Sequence, residues 1–296
     1  MIQRVGLIGL GIMGSAYAGH LIDAGFPTTG FDVDSAALER YAQRGGTPAA
    51  SPEAVAAESD TLVVALASAG AVEAALFGAA GVANGARPGS VILDMGTFPL
   101  ELKRSVEERF AKGGVNVLDT PVSGTGSQAQ TRDLVVFASG DSDAFAKARP
   151  ALEAVARDVR YVGAFGNGSK LKYIANLLVT IHNLSTAEAM VLADKAGIDP
   201  AMLLEVLGDS AASSRMMQVR GPMMAAHRYE PATMKLEVYQ KDLEIIDAFA
   251  KSLDCPTPLF SASLPFYAGA LSDGRGKQDT AAIVTVLRER AGLPAD

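Results

Sequence analysis

Gly9-Leu10-Gly11-Ile12-Met13-Gly14 is the stretch on which the reading of this chain turns. Before it, Arg4–Ile8 is a short apolar run of strand type; after it, Ser15–Ala24 has helical composition. A G-x-G-x-x-G turn between a strand and a helix is the arrangement that receives a dinucleotide. Gly9 is expected to make the tight turn, Gly11 to let the backbone approach a pyrophosphate, and Gly14 to allow close packing of helix on strand. The free N–H groups and partial positive charge of the helix start favour the phosphates. Leu10, Ile12 and Met13 complete the loop and are expected cofactor contacts. Asp32 ends the next strand-like run, Thr28–Asp32. A carboxylate there accepts bonds from ribose hydroxyls and repels a 2′-phosphate, which points to NAD rather than NADP. The plainer alternative is a turn or helix-cap acid, a part that Asp34 could also play.

Outward from the loop, apolar strand-like runs recur at Thr61–Leu66, Ser90–Asp94, Val115–Asp119 and Leu134–Ser139, with helical stretches between them. That alternation predicts a parallel sheet covered on both faces. From about Gly166 the β-runs stop. Ser169–Ala196 is one long helical pattern closed by Gly197, and Asp199-Pro200 looks like an N-cap followed by a first-turn proline. Further helical patterns fall at Ala201–Leu207, around Leu236–Ser252, and at Thr280–Arg290. The expected fold is α/β: a Rossmann-type, doubly wound parallel sheet over 1–165, followed by an all-α domain over 166–296 for substrate and oligomerisation.

A chain of 296 residues can bury a sizeable core without staples. The formal charge of -7 and the lack of a long Lys or Arg run argue against a nucleic-acid partner. A single cysteine, Cys255, excludes an internal disulfide and fits a reducing cytoplasm. Met1-Ile2-Gln3-Arg4 runs straight into the first strand without the features of a signal peptide, and no apolar run reaches the ~18–20 residues of a membrane span. A cytoplasmic protein is expected. His20, His182 and His227 have no metal-ligand spacing; His20 is read as packing or surface, and His182 as a cleft candidate. Met216, Met217, Met223 and Met224 are read as core or subunit packing, with adaptable pocket lining as the alternative, and Cys255, without a basic neighbour, as inert.

Four separated motifs, spread over essentially the whole chain, resemble the β-hydroxyacid dehydrogenase family, which includes 3-hydroxyisobutyrate dehydrogenase and tartronate semialdehyde reductase. They are Gly6–Gly14, Asp119-Thr120-Pro121-Val122-Ser123-Gly124, Gly166–Asn176 of the form G-x-G-x-x-x-K-x-x-x-N, and Lys241-Asp242-Leu243. The resemblance implies that Ser123 and Gly124 hold a substrate carboxylate, a role that a hydroxyl and backbone N–H groups in a glycine turn suit physically. It implies that Lys172 is the acid/base, that Asn176 positions it and the substrate hydroxyl, and that Lys241 approaches the cofactor. Leu66 and Thr97 match weaker cofactor positions, with Gly96 in place of the family's usual serine. Thr125 stands where the family has glycine, and Thr131-Arg132-Asp133 replaces a further glycine, so Thr125 is expected to shape the substrate end of the site. Helical spacing bears on the lysine independently. Lys172 and Asn176 are i,i+4, Asn183 continues the stripe, and the rival Lys170 points away from that face.

The resemblance implies hydride transfer between NAD and the CH–OH of a small 3-hydroxy acid, or its reversal, by a homodimer or homotetramer. Three alternatives stay open: a short sugar-acid dehydrogenase resembling 6-phosphogluconate dehydrogenase, an imine reductase of the same superfamily, and a non-catalytic dinucleotide module. Lys172 argues against the imine reductase, whose relatives usually lack it. Lys172 together with the Ser123-Gly124 turn argues against the module.

Overall fold

The computed structural model describes residues 3–294; Met1 and Ile2, read as preceding the first strand, lie outside the described residues. It contains two compact units, one running to Lys172 and the other beginning at Tyr173.

The first unit opens with β1 (Val5–Ile8), α1 (Ile12–Asp23), β2 (Thr28–Phe31), α2 (Ser35–Gln43), β3 (Thr47–Pro48), α3 (Pro52–Glu58) and β4 (Thr61–Val64). It continues through α4 (Ala69–Phe77), α5 (Val82–Gly85), β5 (Val91–Asp94), α6 (Leu100–Ala111) and β6 (Asn116–Asp119). Six strands form one sheet in the order β3-β2-β1-β4-β5-β6, with every neighbouring pair parallel. The two-residue period of the strands sorts side chains onto two cores. Val5, Leu7, Val63, Val91 and Leu93 join Ala16, Tyr17 and Leu21 of α1 on one face. Ile8, Leu62, Val64, Ile92 and Val117 join Val55 of α3, Val72 of α4 and Val106 of α6 on the other. Because β1 and β4 are neighbours, the strand order reverses between them and opens a crevice beyond their carboxyl ends.

Next come β7 (Val122–Ser123), α7 (Gly126–Gln130), β8 (Val135–Ala138), α8 (Ser142–Val155) and β9 (Asp158–Tyr161). Here the structure departs from the single parallel sheet expected. The apolar run at 134–139 belongs to a second, three-stranded sheet, in which β7 is antiparallel and β9 parallel to β8. A bridge between Asp119 and Ser139 links it to the end of β6. β7 follows β6 after only Thr120 and Pro121, too few residues for the crossover that a parallel neighbour of β6 would need, and β8 pairs with β7 instead.

α9 (Asn167–Ala196) leaves the first unit after its opening turns. The second unit is helical: α10 (Pro200–Leu207), α11 (Arg215–Ala225), α12 (Leu236–Ser252), α13 (Pro258–Ser272), a 3-10 turn (Thr280–Ala282) and α14 (Ile283–Arg290). Its interior is tied by a polar cluster. Arg220 Nε lies 3.2 Å from Asp279 Oδ1, and Asp279 Oδ2 accepts from Thr233 Oγ1 at 2.7 Å and from the Met234 N–H at 3.0 Å.

Candidate active site

The glycine loop assigns each glycine its own reason. Gly9 has φ +92°, and a Cβ there would meet the Ala65 carbonyl at 2.4 Å; a Cβ on Gly14 would meet the Gly9 carbonyl at 1.9 Å. Both positions are closed to side chains by the protein itself. Around a Cβ on Gly11, no described heavy atom comes within 4 Å. Packing therefore does not require glycine at position 11, whereas close approach of a ligand would. Gly11 is also the N-cap of α1, which has no side-chain cap bond among the described residues and no acid in its first turn. An uncapped helix start beside an open glycine fits a pyrophosphate.

The remaining first-unit candidates follow the same strand ends. Leu66, past β4, would contact a Cβ on Gly9 at 3.1 Å. Asp32, past β2, accepts the Leu10 N–H on Oδ2 at 2.6 Å and the Asp34 N–H on Oδ1 at 2.9 Å, so its carboxylate braces the loop. Asp34, its rival, caps α2 through the Ala36 N–H at 2.9 Å. Thr97 is half-buried past β5. The glycine before it has a local cause: a Cβ on Gly96 would lie 2.3 Å from the ring of buried Phe98.

Past β6 comes the proposed carboxylate turn. Gly124 has φ +138°, and a Cβ there would meet Leu134 Cδ2 at 2.4 Å, so glycine is required. Thr125 has φ −103° and is the N-cap of α7, where no glycine is needed. Its N–H donates to Gln128 Oε1 at 3.0 Å, one half of a capping box, and its hydroxyl bonds Ser127 Oγ at 2.9 Å. A Cβ on Gly126 would meet Ile12 Cγ2 at 2.6 Å, so this turn rests against the glycine loop.

α9 starts at the same edge. A Cβ on Gly168 would meet the Phe137 carbonyl at 2.3 Å and the Asp119 carbonyl at 2.9 Å, which lets the helix begin directly against the ends of β6 and β8. Ser169, Lys172, Asn176, Thr180 and Asn183 then follow one another down a single helix face, all buried. Lys172 is only 7% exposed, whereas Lys170 is half-buried and donates to Asn167 Oδ1 at 3.3 Å. The far end of the stripe is structural: Asn183 Nδ2 donates to Tyr267 Oη at 3.0 Å and to the Thr280 carbonyl at 2.9 Å. In the second unit, Asn176 Nδ2 donates to Asp242 Oδ2 at 2.9 Å, and Lys241 Nζ lies 3.0 Å from Asp242 Oδ1. Asp242 was visible in the sequence only as the middle of a motif; its partner emerges from the packing of α12 on α9. His20, read as packing or surface, joins α1 to α7 through a 2.7 Å bond between Nε2 and the Ala129 carbonyl.

Comparison with known proteins supplies the class. Residues 4–163 match the family described as the NAD binding domain of 6-phosphogluconate dehydrogenase, and residues 166–287 match the NAD-binding family of NADP-dependent 3-hydroxyisobutyrate dehydrogenase. The chain is 34% identical to an L-threonate dehydrogenase from Cupriavidus necator over 97% of each chain. It is 32% identical to a 3-sulfolactaldehyde reductase from Escherichia coli K12, over 99% of each chain. A crystal structure of 3-hydroxyisobutyrate dehydrogenase from Salmonella typhimurium superposes with a TM-score of 0.87 at 32% identity, covering 96% of this chain and 99% of that one. The chain belongs to the β-hydroxyacid dehydrogenase family. It is an NAD-binding oxidoreductase acting on the CH–OH group of hydroxy acids.

Proposed function

We propose that Lys172 is the acid/base of this reaction, with Asn176 as its amide partner and the Ser123-Gly124 turn as the carboxylate holder. The observation that carries the reading is the burial of Lys172 on the polar face of α9, one turn before the buried Asn176, a place lysine almost never takes unless paired. In oxidation, Nζ accepts the hydroxyl proton as the carbonyl forms; in reduction it returns the proton to the developing alkoxide. Gly9, Leu10, Gly11, Ile12, Met13, Gly14, Asp32, Leu66, Thr97 and Lys241 would hold NAD. When bound, NAD supplies the hydride acceptor for the C–H electrons. Ser123 and the adjacent N–H groups orient the acid, so that its hydroxyl rather than its carboxylate meets the lysine.

The substrate in this reading is a 3-hydroxy acid bearing a further polar group. Two observations favour that over plain 3-hydroxyisobutyrate: Thr125, Ser127 and Gln128 put three polar side chains directly after the carboxylate turn, and an L-threonate dehydrogenase is among the relatives. Assay of L-threonate, 3-hydroxyisobutyrate and other 3-hydroxy acids with NAD and NADP, in native enzyme and Lys172→Ala, tests both parts. Turnover that survives in Lys172→Ala would refute the residue assignment, and a preference for 3-hydroxyisobutyrate would refute the substrate class.

We further propose a cytoplasmic homodimer or homotetramer. Ile174, Leu178 and Leu192 on α9 are 52%, 48% and 71% exposed, which favours burial against a second copy. Light scattering at micromolar concentration that returned a monomer mass would refute it. Among the described residues no helix is long and apolar enough to cross a membrane, and no cluster of His, Cys, Asp or Glu could hold a metal ion.

A further inference from the structure

Beneath the carboxylate turn lies a buried charge cluster to which neither the sequence motifs nor the comparisons assign a role. Lys103, from the inner face of α6, is 1% exposed, and its Nζ reaches Asp119 Oδ1 at 2.7 Å, the Asp94 carbonyl at 3.4 Å and Asp94 Oδ2 at 3.6 Å. Asp119 is fully buried and its remaining acceptor capacity is spent on the start of α9 and on Ser139. The Ser169 N–H donates to Oδ2 at 2.7 Å, the Ser169 hydroxyl to Oδ1 at 2.7 Å, and the Ser139 hydroxyl to Oδ2 at 3.2 Å. Ser139 Oγ in turn accepts the Gly168 N–H at 3.0 Å. Two early backbone N–H groups of α9, which have no partner inside the helix, are thus satisfied from β6 and β8.

We propose that Asp119, charged and held by Lys103, is a positioning residue that fixes Lys172 relative to the Ser123-Gly124 turn. This rests on the reading of Lys172 as the acid/base. Asp119 is the last residue of β6, four positions before Ser123, and Ser169 stands one helical turn before Lys172 on the same face. One carboxylate therefore bolts the loop that would hold the substrate to the helix that would carry the proton. The negative charge also faces the positive end of α9, where it is favoured. Burial pulls the Lys103 ammonium toward neutrality, but the Asp119 and Asp94 carboxylates outweigh it and hold its pKa above the ordinary lysine value. A buried ion pair is weak as a source of stability, since apolar residues of the same shape often serve as well. What apolar residues cannot supply is a directed set of bonds to the first turn of α9, and a displacement of ~1 Å at a reacting group can cost ~10²-fold in rate.

The test uses Ser169→Ala, which removes one bond of the clamp while alanine keeps the helix, together with Asp119→Asn and, as control, Lys172→Ala. Both clamp variants are expected to lose at least ~10-fold in kcat, to move the limb of the pH–rate profile set by Lys172, and to keep NAD affinity within ~2-fold by calorimetry. Should Asp119→Asn fail to fold, Ser169→Ala decides alone. Native kcat and an unmoved pH profile in Ser169→Ala would overturn the inference, provided Lys172→Ala is dead. Turnover in Lys172→Ala would instead overturn the reading on which it rests.

Discussion

The side-chain amide of Asn176 donates to Asp242 Oδ2 over 2.9 Å, and both residues are buried. An amide whose nitrogen is committed in this way presents its oxygen as the acceptor, the polarity needed to receive a proton donor such as an ammonium on the same helix face. Asp242 would thereby choose the orientation of Asn176, and Lys241 Nζ, 3.0 Å from Oδ1, balances its charge. Asp242→Ala frees the amide to rotate and leaves a buried donor unpaired, which costs roughly 1–3 kcal/mol. The expected result is a fall of at least ~10-fold in kcat with little change in NAD affinity. An Asp242→Ala enzyme with native kcat would remove Asp242 from the site.

The two lysines of α9 make a matched pair for a second measurement. Lys172 is buried on the polar face, whereas Lys170 is half-buried and tied to Asn167. Lys172→Ala is expected to lose at least ~10²-fold in kcat while still binding NAD, as for the removal of a positioned acid/base. Lys170→Ala should stay near native, since a substitution of this kind costs within ~0.5 kcal/mol. The reverse pattern would transfer the role to Lys170.

Gly11 and Gly14 are expected to fail differently. Gly14→Ala drives a Cβ to 1.9 Å from the Gly9 carbonyl, a clash between backbone and Cβ that no rotamer relieves, so stability should fall along with cofactor binding. Gly11→Ala places its methyl in open space, so the thermal midpoint should hold while NAD affinity drops ~10-fold or more. Calorimetric titration and thermal denaturation of the two variants separate these effects. A Gly11→Ala protein that binds NAD normally would mean that the cofactor does not approach this glycine.

Asp32 has two tasks to lose. Its carboxylate braces the loop through the Leu10 N–H and, in the proposed reading, would repel a 2′-phosphate. Asp32→Asn keeps an oxygen for the Leu10 N–H but drops the charge, and is expected to narrow the ratio of kcat/KM for NAD over NADP with modest loss for NAD. Asp32→Ala removes the brace as well and should weaken both cofactors. Native enzyme that uses NADP as well as NAD would refute the preference outright.

What could be read before the structure was local. The glycine loop, five of the six strands of the central sheet and the bounds of α12 each follow from a few adjacent residues with the right period, whereas the two-residue β3 was not read. Lys172 stood out because it falls on the lysine of the motif that resembles the family's, with support from polar neighbours at helical spacing. Missing were the features set by distant partners. Lys103 sits in Leu100–Ala111, a charged helix whose lysine reads as solvated, and its burial depends on carboxylates from two strands. β9 (Asp-Val-Arg-Tyr) is an edge strand with polar residues at alternate positions, which hides its pairing. α13 starts with Pro258 at its first turn, where proline is tolerated, but carries Pro265 within, a residue that argues for a break until packing overrides it. The apolar run at 134–139 read correctly as a strand but was expected in the central sheet, because periodicity says nothing about which neighbour a strand will pair with.

Thr125 is where fold and specificity compete for one side chain. As the N-cap of α7 it has a structural duty, and replacing such a threonine with glycine costs only a few tenths of a kcal/mol. Its hydroxyl is bonded to Ser127, and its N–H to Gln128, whose Nε2 donates to Asp133 Oδ2 at 3.2 Å. Thr125 would therefore act by ordering this polar group beside the carboxylate turn as well as by touching substrate. A site that pairs a substrate hydroxyl discriminates against the analogue lacking it, because its own polar atoms are then left without partners. Native enzyme is expected to prefer L-threonate, or another hydroxylated acid, over 3-hydroxyisobutyrate. Thr125→Gly should lower that ratio of kcat/KM, whereas Thr125→Ser, which keeps the hydroxyl, should largely preserve it. Far-UV circular dichroism and the thermal midpoint should barely change in either variant, so a shifted ratio reports the site and not the fold. If 3-hydroxyisobutyrate proves the best substrate of the native enzyme, or if glycine and serine leave the ratio alike, Thr125 is a helix cap and nothing more.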